Sequence, residues 1–417
     1  MTTRSSRLEL EAAWEKLTRS DDLLADILIR LPTLADLGRA AASYVAFRRV
    51  VTSHHFHRRL RALHPPSLLG VHALSTGEFY PVESPNSSAP AARDLAACAD
   101  FGFSFLPAQQ GSSWMARDIQ DGRFFLVDSD AGNGDAAFTM LAVCDPLHRS
   151  YVLLPPIPEE LAVAVEQPHL VNVKERRCEV FFLPCSEEEY AAAAATGSPD
   201  PFRVMWMAQC PAKLVVFLFS SATGQWQAVA SPSWQELNPD MPATTDTSSL
   251  SCRNYAQGCF FWLLSNPPND RKLLVLNTRT MEFTAGKCPD QKGEFAIIME
   301  LGESKLQMFF LRGSILSRFS GNRQNEGTYQ WTPLKSFTML ALPCKYNMLG
   351  AFGGNMLLQI IMADDDGCTV GSGCFWIDFK SSVSVHGHSV RGVLGDEFHP
   401  PSALHIGYPP SLSPPAI

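Results

Sequence analysis

Apolar side chains recur at helical spacing near the start of the chain. The first such set comprises Leu23, Leu24, Ile27, Leu28 and Leu31. At about 100° per residue these five positions cover an arc of roughly 140°, which is wider than the usual apolar stripe of a surface helix. Ser20 stands at the N-cap position, and Pro32 ends the helix because the residue before a proline avoids the α region. Ile29 falls on the opposite side of this helix.

Three more short helices are predicted before residue 66. Their apolar positions are Leu37, Ala40, Ala41 and Tyr44 or Val45 in the second, Phe47, Val50 and Val51 in the third, and Phe56, Leu60 and Leu63 in the fourth. Thr33 and Ser53 stand where N-caps are expected, and Pro65-Pro66 ends the last helix. About fifty residues of short helices bury too little surface to be stable alone. We therefore expect a partner protein or the rest of the chain to cover the surplus apolar face, and an appendage without a partner is the alternative.

From Leu68 onward the pattern changes to short apolar runs separated by turn residues, which is typical of β-structure. Strands are predicted at residues 123–127, 140–144, 180–183, 203–207, 214–219, 259–264, 273–276, 295–299, 306–311, 356–362 and 374–379. Loops or insertions are predicted at residues 83–93, 186–201 and 231–251, and the second of these contains a short helix. The chain thus divides into a helical domain at 14–64, a large all-β domain at 68–408 and a proline-rich tail at 409–417.

A weak internal repeat runs through the β-rich part. An apolar strand ends at a small polar or acidic residue, a turn follows, and an aromatic residue opens the next strand. The five cases are Asp145 with Tyr151, Ser220 with Trp226, Asn277 with Phe283, Ser320 with Tyr329 and Trp331, and Asp378 with Phe379. Polar residues suit hairpin turns, and aromatic rings fill the gap between stacked sheets. The repeat predicts a kelch-like β-propeller whose blades carry inserted loops, and a β-sandwich with similar hairpins is the alternative.

Composition limits the partners of the chain. A net charge of −8 argues against nucleic-acid binding, because that function needs a concentrated cationic surface. The N-terminus lacks an apolar core of signal-peptide length, and the apolar runs are too short to span a membrane. Eleven cysteines are present without a C-x-x-C pair, which is typical of reduced thiols in the cytoplasm or nucleus.

Local motifs for catalysis are missing from the sequence. No G-x-x-x-x-G-K-[ST], G-x-G-x-x-G or G-x-S-x-G motif occurs in the chain. His54, His55 and His57 do not share one helix face and have no Cys or carboxylate beside them to complete a metal site. We therefore predict no catalytic residue, metal or cofactor. A propeller enzyme whose site assembles from distant loops stays open as an alternative.

Several runs resemble plant F-box proteins that carry a β-propeller-like associated domain. In the helical domain the matching runs are 21–32 (DDLLADILIRLP), 37–40 (LGRA), 47–51 (FRRVV), 64–66 (HPP) and 68–70 (LLG). In the β domain they are 117–123 (RDIQDGR) and 142–158 (AVCDPLHRSYVLLPPIP). Three positions depart from the family pattern: Arg19-Ser20 stand where Leu-Pro is usual, and Phe47 replaces a common Trp.

The resemblance implies a non-catalytic subunit of an SCF-type ubiquitin ligase. The helical domain would dock on a Skp-family adaptor and through it on a cullin, and the β domain would hold an unknown protein substrate. By position, the residues that would form or support the adaptor-facing surface are Leu23, Leu24, Ile27, Leu28, Leu31, Pro32, Leu37 and Phe47. Arg19-Ser20 keeps a second hypothesis open, in which the chain is a propeller scaffold whose degenerate F-box does not dock.

Overall fold

The computed structural model describes twenty stretches of the chain. These are residues 14, 20–31, 34–63, 67–74, 76–84, 86–107, 112–130, 140–166, 178–196, 200–229, 231–237, 249–266, 270–290, 295–301, 305–325, 328–339, 344–363, 369–379, 384–388 and 402–406. The chain forms two compact units. The helical unit comprises Met1–Ser67, Glu187–Asp200 and Pro410–Ile417, and the β unit comprises Leu68–Ser186 and Pro201–Pro409. The sequence did not predict that Glu187–Asp200 groups with the N-terminal residues. The predicted tail lies outside the described residues.

Four short helices precede the first strand. They are α1 (Asp21–Leu28), α2 (Leu34–Ser43), α3 (Val45–Val51) and α4 (His54–Leu63). Both predicted N-caps within the described residues are confirmed, because Ser20 Oγ accepts a hydrogen bond from Leu23 N–H at 3.4 Å and Ser53 Oγ accepts one from Phe56 N–H at 3.3 Å. Each cap satisfies one of the amide groups that a helix leaves unpaired at its first turn. Pro32 and Thr33 lie outside the described residues.

The helical unit has its own apolar core. Its buried members are Leu24, Ala25, Leu28, Ile29, Leu37, Ala46, Val50 and Phe56. Two predictions were wrong here. Ile29 is 4% exposed rather than on the open side of the helix, and Tyr44 and Val45 are 41% and 73% exposed rather than core-facing. The reason is that α2 stops at Ser43, so Tyr44 starts a new helix with extended backbone and no longer follows the periodicity of α2.

The described strands form six sheets, which are the blades of a β-propeller, and this topology leaves no need for the alternative β-sandwich. Five blades have four antiparallel strands in chain order. The first of these blades contains β3 (Ser112–Gln120), β4 (Arg123–Asp130), β5 (Leu141–Asp145) and β6 (Ser150–Leu153), and the second contains β7 (Cys178–Leu183), β8 (Arg203–Gln209), β9 (Leu214–Ser220) and β10 (Gln225–Ala228). The third contains β11 (Ser249–Ala256), β12 (Cys259–Asn266), β13 (Asp270–Asn277) and β14 (Glu282–Lys287), and the fourth contains β15 (Phe295–Leu301), β16 (Lys305–Arg312), β17 (Ile315–Asn325) and β18 (Thr328–Thr338). The fifth contains β19 (Cys344–Phe352), β20 (Asn355–Ala363), β21 (Thr369–Asp378) and β22 (Ser384–His388).

The sixth blade closes the ring by joining the two ends of the β unit. It contains β1 (Leu68–Ala73), β2 (Phe79–Pro81) and β23 (Ser402–Ile406), and β23 pairs antiparallel with β1. Leu404 of β23 packs on Gly350 of β19 so closely that a Cβ at this glycine would lie 2.9 Å from Leu404. Glycine therefore permits the closing strand to meet the preceding blade. Four further helices are α5 (Ala89–Cys98), α6 (Glu159–Ala162), α7 (Glu187–Thr196) and α8 (Trp234–Leu237).

The predicted repeat corresponds to the outer hairpins of the blades. The aromatic residue lies opposite the last apolar residue of the preceding strand in three blades, in the pairs Cys144–Tyr151, Phe219–Trp226 and Leu276–Phe283. Trp226 Nε1–H donates to the carbonyl of Pro155, at 2.8 Å, and so ties one blade to the previous one. In the fifth case the pattern fails, because Phe379 does not open β22 but packs against Phe309 of the neighbouring blade.

Candidate functional site

The structure divides the predicted docking residues into a surface set and a core set. Leu23 and Ile27 are 49% and 52% exposed, whereas Leu24, Leu28 and Leu37 are buried. Leu31 and Phe47 are partly buried against the core, and Pro32 lies outside the described residues. The expected surplus of apolar surface is confirmed, and Leu23 and Ile27 carry it.

Leu23 and Ile27 form one exposed apolar face of α1. They are four residues apart, so their side chains lie one above the other on the same side of the helix. Leu24, Ala25 and Leu28 bury the opposite side in the core. The wide arc in the sequence therefore combines two surfaces, of which one faces the core and the other faces outward. We call Leu23 and Ile27 the α1 face.

An aromatic cluster adds further apolar surface to the helical unit. The ring centroids of Trp14 and Tyr44 are 5.9 Å apart, those of Trp14 and Phe47 are 6.1 Å apart, and those of Tyr44 and Phe47 are 5.4 Å apart. Trp14 is 48% exposed and Tyr44 is 41% exposed. Sequence reasoning missed Trp14 and placed Tyr44 in a buried stripe. No periodic pattern marks this cluster, because Trp14 lies 30 positions before Tyr44 and α3 begins a new helix at Val45.

Ion pairs join the helices on other exposed sides. Arg49 Nη2 lies 2.5 Å from Asp21 Oδ1, and Arg59 Nη2 lies 2.5 Å from Asp26 Oδ1. The hydrogen bond and the positive charge of Arg59 lower the pKa of Asp26 below its ordinary value. Because both pairs are exposed to solvent, they orient α1 against α3 and α4 more than they stabilise the fold.

The β unit contains a charged cluster on the inner strands of its ring. Arg253 of β11 donates from Nη2 to Asp118 Oδ1 of β3, at 2.5 Å, and from Nη1 to Glu179 Oε1 of β7, at 2.8 Å. Its guanidinium lies 4.7 Å from the ring centroid of Phe181. Trp262 Nε1–H donates to Glu179 Oε2 at 2.7 Å. We call Arg253, Asp118, Glu179, Phe181 and Trp262 the Arg253 cluster, and it joins three successive blades.

A β-bulge orients the arginine of this cluster. In β11 the register with β12 shifts between Ser251 and Asn254, so two residues oppose one, and Cys252 has a φ of +56°. A bulge re-aims the side chains beside it. Arg253 thus contacts the two preceding blades, while Asn254 bonds the next blade through Ala296 O at 3.2 Å and Ile298 N–H at 3.1 Å. Two adjacent residues therefore connect four blades.

The ion pairs of the Arg253 cluster connect three blades in a mostly buried site. The side chains of Arg253 and Asp118 are only 17% and 15% exposed. Burial raises the pKa of Asp118, and the charge of Arg253 and the amide N–H of Phe182 partly offset that rise. Both carboxylates face donors of this chain, so the charge of Arg253 is fully paired, and one excess negative charge remains when both carboxylates are ionised. Within the described residues, no three His, Cys, Asp or Glu side chains are grouped as a metal site would require.

The chain resembles known proteins in its fold and not in its sequence. No family model matches the chain, and no curated protein sequence matches it. Similar solved structures include a lectin from Aleuria aurantia in complex with Fucα1-6GlcNAc, with 9% identity, 67% of this chain and 78% of that chain covered, and a TM-score of 0.33. The β-propeller domain of the Trilobed protease from Pyrococcus furiosus has 7% identity, covers 66% of this chain and 71% of that chain, and has a TM-score of 0.33.

Polysaccharide lyase Uly1 is similar at 8% identity, with 63% of this chain and 57% of that chain covered and a TM-score of 0.38. At these identities and TM-scores the neighbours support no inference about activity. The propeller assignment follows from the strand pairing described above. In the ranges that the structure describes, no helix is both long enough and apolar enough to cross a membrane.

Proposed function

We propose that this protein is a non-catalytic substrate receptor of an SCF-type ubiquitin ligase in the cytoplasm or nucleus. The helical unit docks on a Skp-family adaptor linked to a cullin, and the propeller holds a protein substrate. The single observation that carries the proposal is the α1 face, where Leu23 and Ile27 stay half exposed although the core beneath them is filled. The resemblance of residues 21–51 to the F-box pattern gives this face its partner.

The proposed mechanism is proximity. The ligase partners supply the ubiquitin-transfer chemistry, and this chain holds a substrate beside them, which raises the effective concentration of the acceptor lysine. Each of Leu23 and Ile27 would contribute about 1 kcal/mol as its exposed half becomes buried against the adaptor.

The test is an adaptor-binding measurement with a surface-directed double variant. Leu23→Asp combined with Ile27→Asp should weaken binding of a purified Skp-type adaptor by roughly 100-fold, because two carboxylates would enter an apolar contact. Substitution of Leu28 is unsuitable here, because its side chain is 4% exposed and a charge at that position would unfold the unit. Binding is measured by titration calorimetry with the full-length chain.

A matched control distinguishes docking from nonspecific association through exposed apolar residues. Val163 is 78% exposed in the β unit, so Val163→Asp makes the same kind of change on another surface and should leave adaptor binding unchanged. Circular dichroism checks that the helices of the double variant remain folded. Equal binding by wild type and the double variant, or no binding by wild type, would remove the docking proposal.

The second candidate function is a propeller interaction scaffold that does not dock on an adaptor. Arg19-Ser20 favours it, because these residues stand where the family has Leu-Pro and Ser20 serves as the N-cap of α1. Adaptor binding by the wild-type chain distinguishes the two candidates, because a receptor binds the adaptor and a scaffold with a degenerate F-box does not. Ser20→Pro combined with Arg19→Leu then tests the cause, because these changes should restore binding to a scaffold that lost it through Arg19-Ser20.

A further inference from the structure

A second guanidinium group lies between two blades of the propeller, with different surroundings. Arg318 is on β17, directly across from Phe309 of β16. Its guanidinium carbon lies 5.9 Å from the ring centroid of Phe309, 6.0 Å from that of Phe337 and 5.7 Å from that of Phe379. Phe379 belongs to the neighbouring blade, and its ring centroid is 4.5 Å from that of Phe309. We call Arg318, Gln307 and these three phenylalanines the Arg318 cluster.

The guanidinium of Arg318 is oriented but not neutralised. Its Nε–H donates to Gln307 Oε1 at 2.5 Å, and Gln307 is 7% exposed. In the described part of the chain, this is its single hydrogen bond and no carboxylate pairs with it. Among the described residues, Nη1 and Nη2 have no hydrogen-bond acceptor, and the side chain is half-buried. Desolvation by the surrounding rings lowers the pKa of Arg318, which reflects a cation held in apolar surroundings.

Such an arrangement favours an anionic ligand. Burying a charge without a partner is unfavourable, and a bound anion reverses that cost. The bond to Gln307 Oε1 uses Nε, so the Nη1–Nη2 edge of the planar guanidinium keeps two parallel donors. Two parallel donors match the two oxygens of a carboxylate.

From this geometry we infer that Arg318 binds a carboxylate of an acidic peptide segment in a partner protein. A single guanidinium matches the single charge of a carboxylate, whereas phosphate groups are usually bound by several arginines. The inference rests on the proposed role of the propeller as the substrate-binding module, and it defines the class of substrate as proteins with an exposed Asp or Glu or a free C-terminus.

A peptide-display selection tests the inference without a known ligand. A random-peptide library is selected against the full-length protein and against its Arg318→Met variant. Peptides that bind wild type should be enriched in Asp, Glu or a free C-terminal carboxylate, and the variant should lose that enrichment. Arg312 is an exposed arginine on the same blade, so Arg312→Gln removes an equal charge and should keep the enrichment.

Direct binding then identifies the ligand group. The best selected peptide is labelled and titrated by fluorescence anisotropy as the acid, as its amide counterpart (Glu→Gln or an amidated C-terminus), and with phosphoserine at the same position. The acid should bind at least roughly tenfold tighter than the amide, and Arg318→Met should remove this difference. Arg318→Lys keeps the charge without the planar fork and should weaken binding of the acid several-fold.

Defined outcomes would overturn the inference. These are selected peptides without acidic enrichment, equal enrichment with Arg318→Met, or a phosphoserine peptide that binds roughly tenfold tighter than the acid. Because Arg318→Lys retains the charge, it provides the readout if Arg318→Met does not fold. The adaptor experiment is independent of this one. If the protein binds the adaptor but no acidic peptide, only this inference is removed. If it binds an acidic peptide through Arg318 but no adaptor, only the docking proposal is removed.

Discussion

Two arginines lie between blades of the same ring with opposite electrostatic surroundings. Arg253 stacks on Phe181 and gives its donors to Asp118 and Glu179. Arg318 stacks near three phenylalanines and gives one donor to the neutral side chain of Gln307. The aromatic contact is therefore common to both clusters, and the difference is that, among the described residues, only Arg253 has acidic partners.

This difference separates a structural role from a binding role. A buried charge that is fully paired by its own chain contributes to a unique arrangement of the blades and has no donor left for a ligand. A half-buried charge that is oriented but unpaired adds little to stability and retains its donors for a second molecule. The three predictions below test this contrast, beginning with the largest expected effect.

Arg253→Met should destabilise the propeller strongly. It leaves Asp118 and Glu179 without their cation in a site where Asp118 is 15% exposed, and removal of one partner from such a buried pair costs about 3 kcal/mol. Glu179 is 33% exposed, so solvent screens its share of the effect. Urea unfolding followed by tryptophan fluorescence measures the loss.

The matched control for this prediction removes the orphaned charges as well. Arg253→Met with Asp118→Asn and Glu179→Gln should recover part of the lost stability, because the carboxylates no longer need a cation. A destabilisation below about 1 kcal/mol for the single variant, or no recovery in the triple variant, would show that the ion pairs of the Arg253 cluster do not stabilise the contacts between blades.

Acidification should destabilise the pairing of β1 with β23, which contains a buried pair of histidines. His72 of β1 and His405 of β23 are buried, and 3.0 Å separates Nε2 of His72 from Nδ1 of His405. Burial, with a smaller effect of His405, lowers the pKa of His72 well below 6.5. Below pH 6.5 the imidazole of His72 is protonated in the unfolded chain but stays neutral in the folded chain. The free energy of unfolding therefore falls by up to about 1.4 kcal/mol per pH unit for this residue.

The measurement is the urea midpoint at pH 7.5, 6.5 and 5.5 for wild type and His72→Phe. Phenylalanine suits a site where Phe79, Phe101 and Phe124 surround the imidazole. The variant should lose a share of the pH dependence while Arg318→Met retains it. Identical pH profiles for wild type and His72→Phe would contradict the assignment.

Arg318→Met should change stability least. The substitution removes an unpaired cation from apolar surroundings, and it also leaves Gln307 Oε1 without its donor, so the two effects oppose each other. We expect the free energy of unfolding to stay within about 1 kcal/mol of wild type. A loss of unfolding free energy as large as that of Arg253→Met would assign Arg318 a structural role, and the two arginines would then not differ in function.

The strands recognised from sequence are mostly the middle strands of the blades. β4, β5, β8, β9, β12 and β13 are buried on both faces and read as continuous apolar runs. The outermost strands β6, β10, β14 and β18 were not predicted as apolar runs, because exposed residues interrupt their pattern, and only the aromatic residues of the repeat marked their hairpins. The predicted ranges also missed β1, β2, β3, β11, β17, β19, β22 and β23, and bulges in β3 and β11 disturb the two-residue alternation.

The candidate sites were predictable to very different degrees. The α1 face was identified from the spacing of Leu23 and Ile27, although the sequence could not separate them from the buried Leu24 and Leu28. The Arg253 cluster and the Arg318 cluster were not found. Asp118, Glu179 and Arg253 are separated by 61 to 135 positions, and no local pattern links residues that far apart.

The sequence by itself determined the helical N-terminal unit, the strands with two buried faces and the outer hairpins of the blades, because these depend on contacts between residues close in the chain. The tertiary structure decided the number of blades, the closure of the ring and the partners of each arginine. His72 and His405 are 333 positions apart, and only closure of the ring brings them together. Whether a guanidinium is paired or left for a ligand depends on which distant side chains the fold places beside it, and periodicity carries no information about that choice.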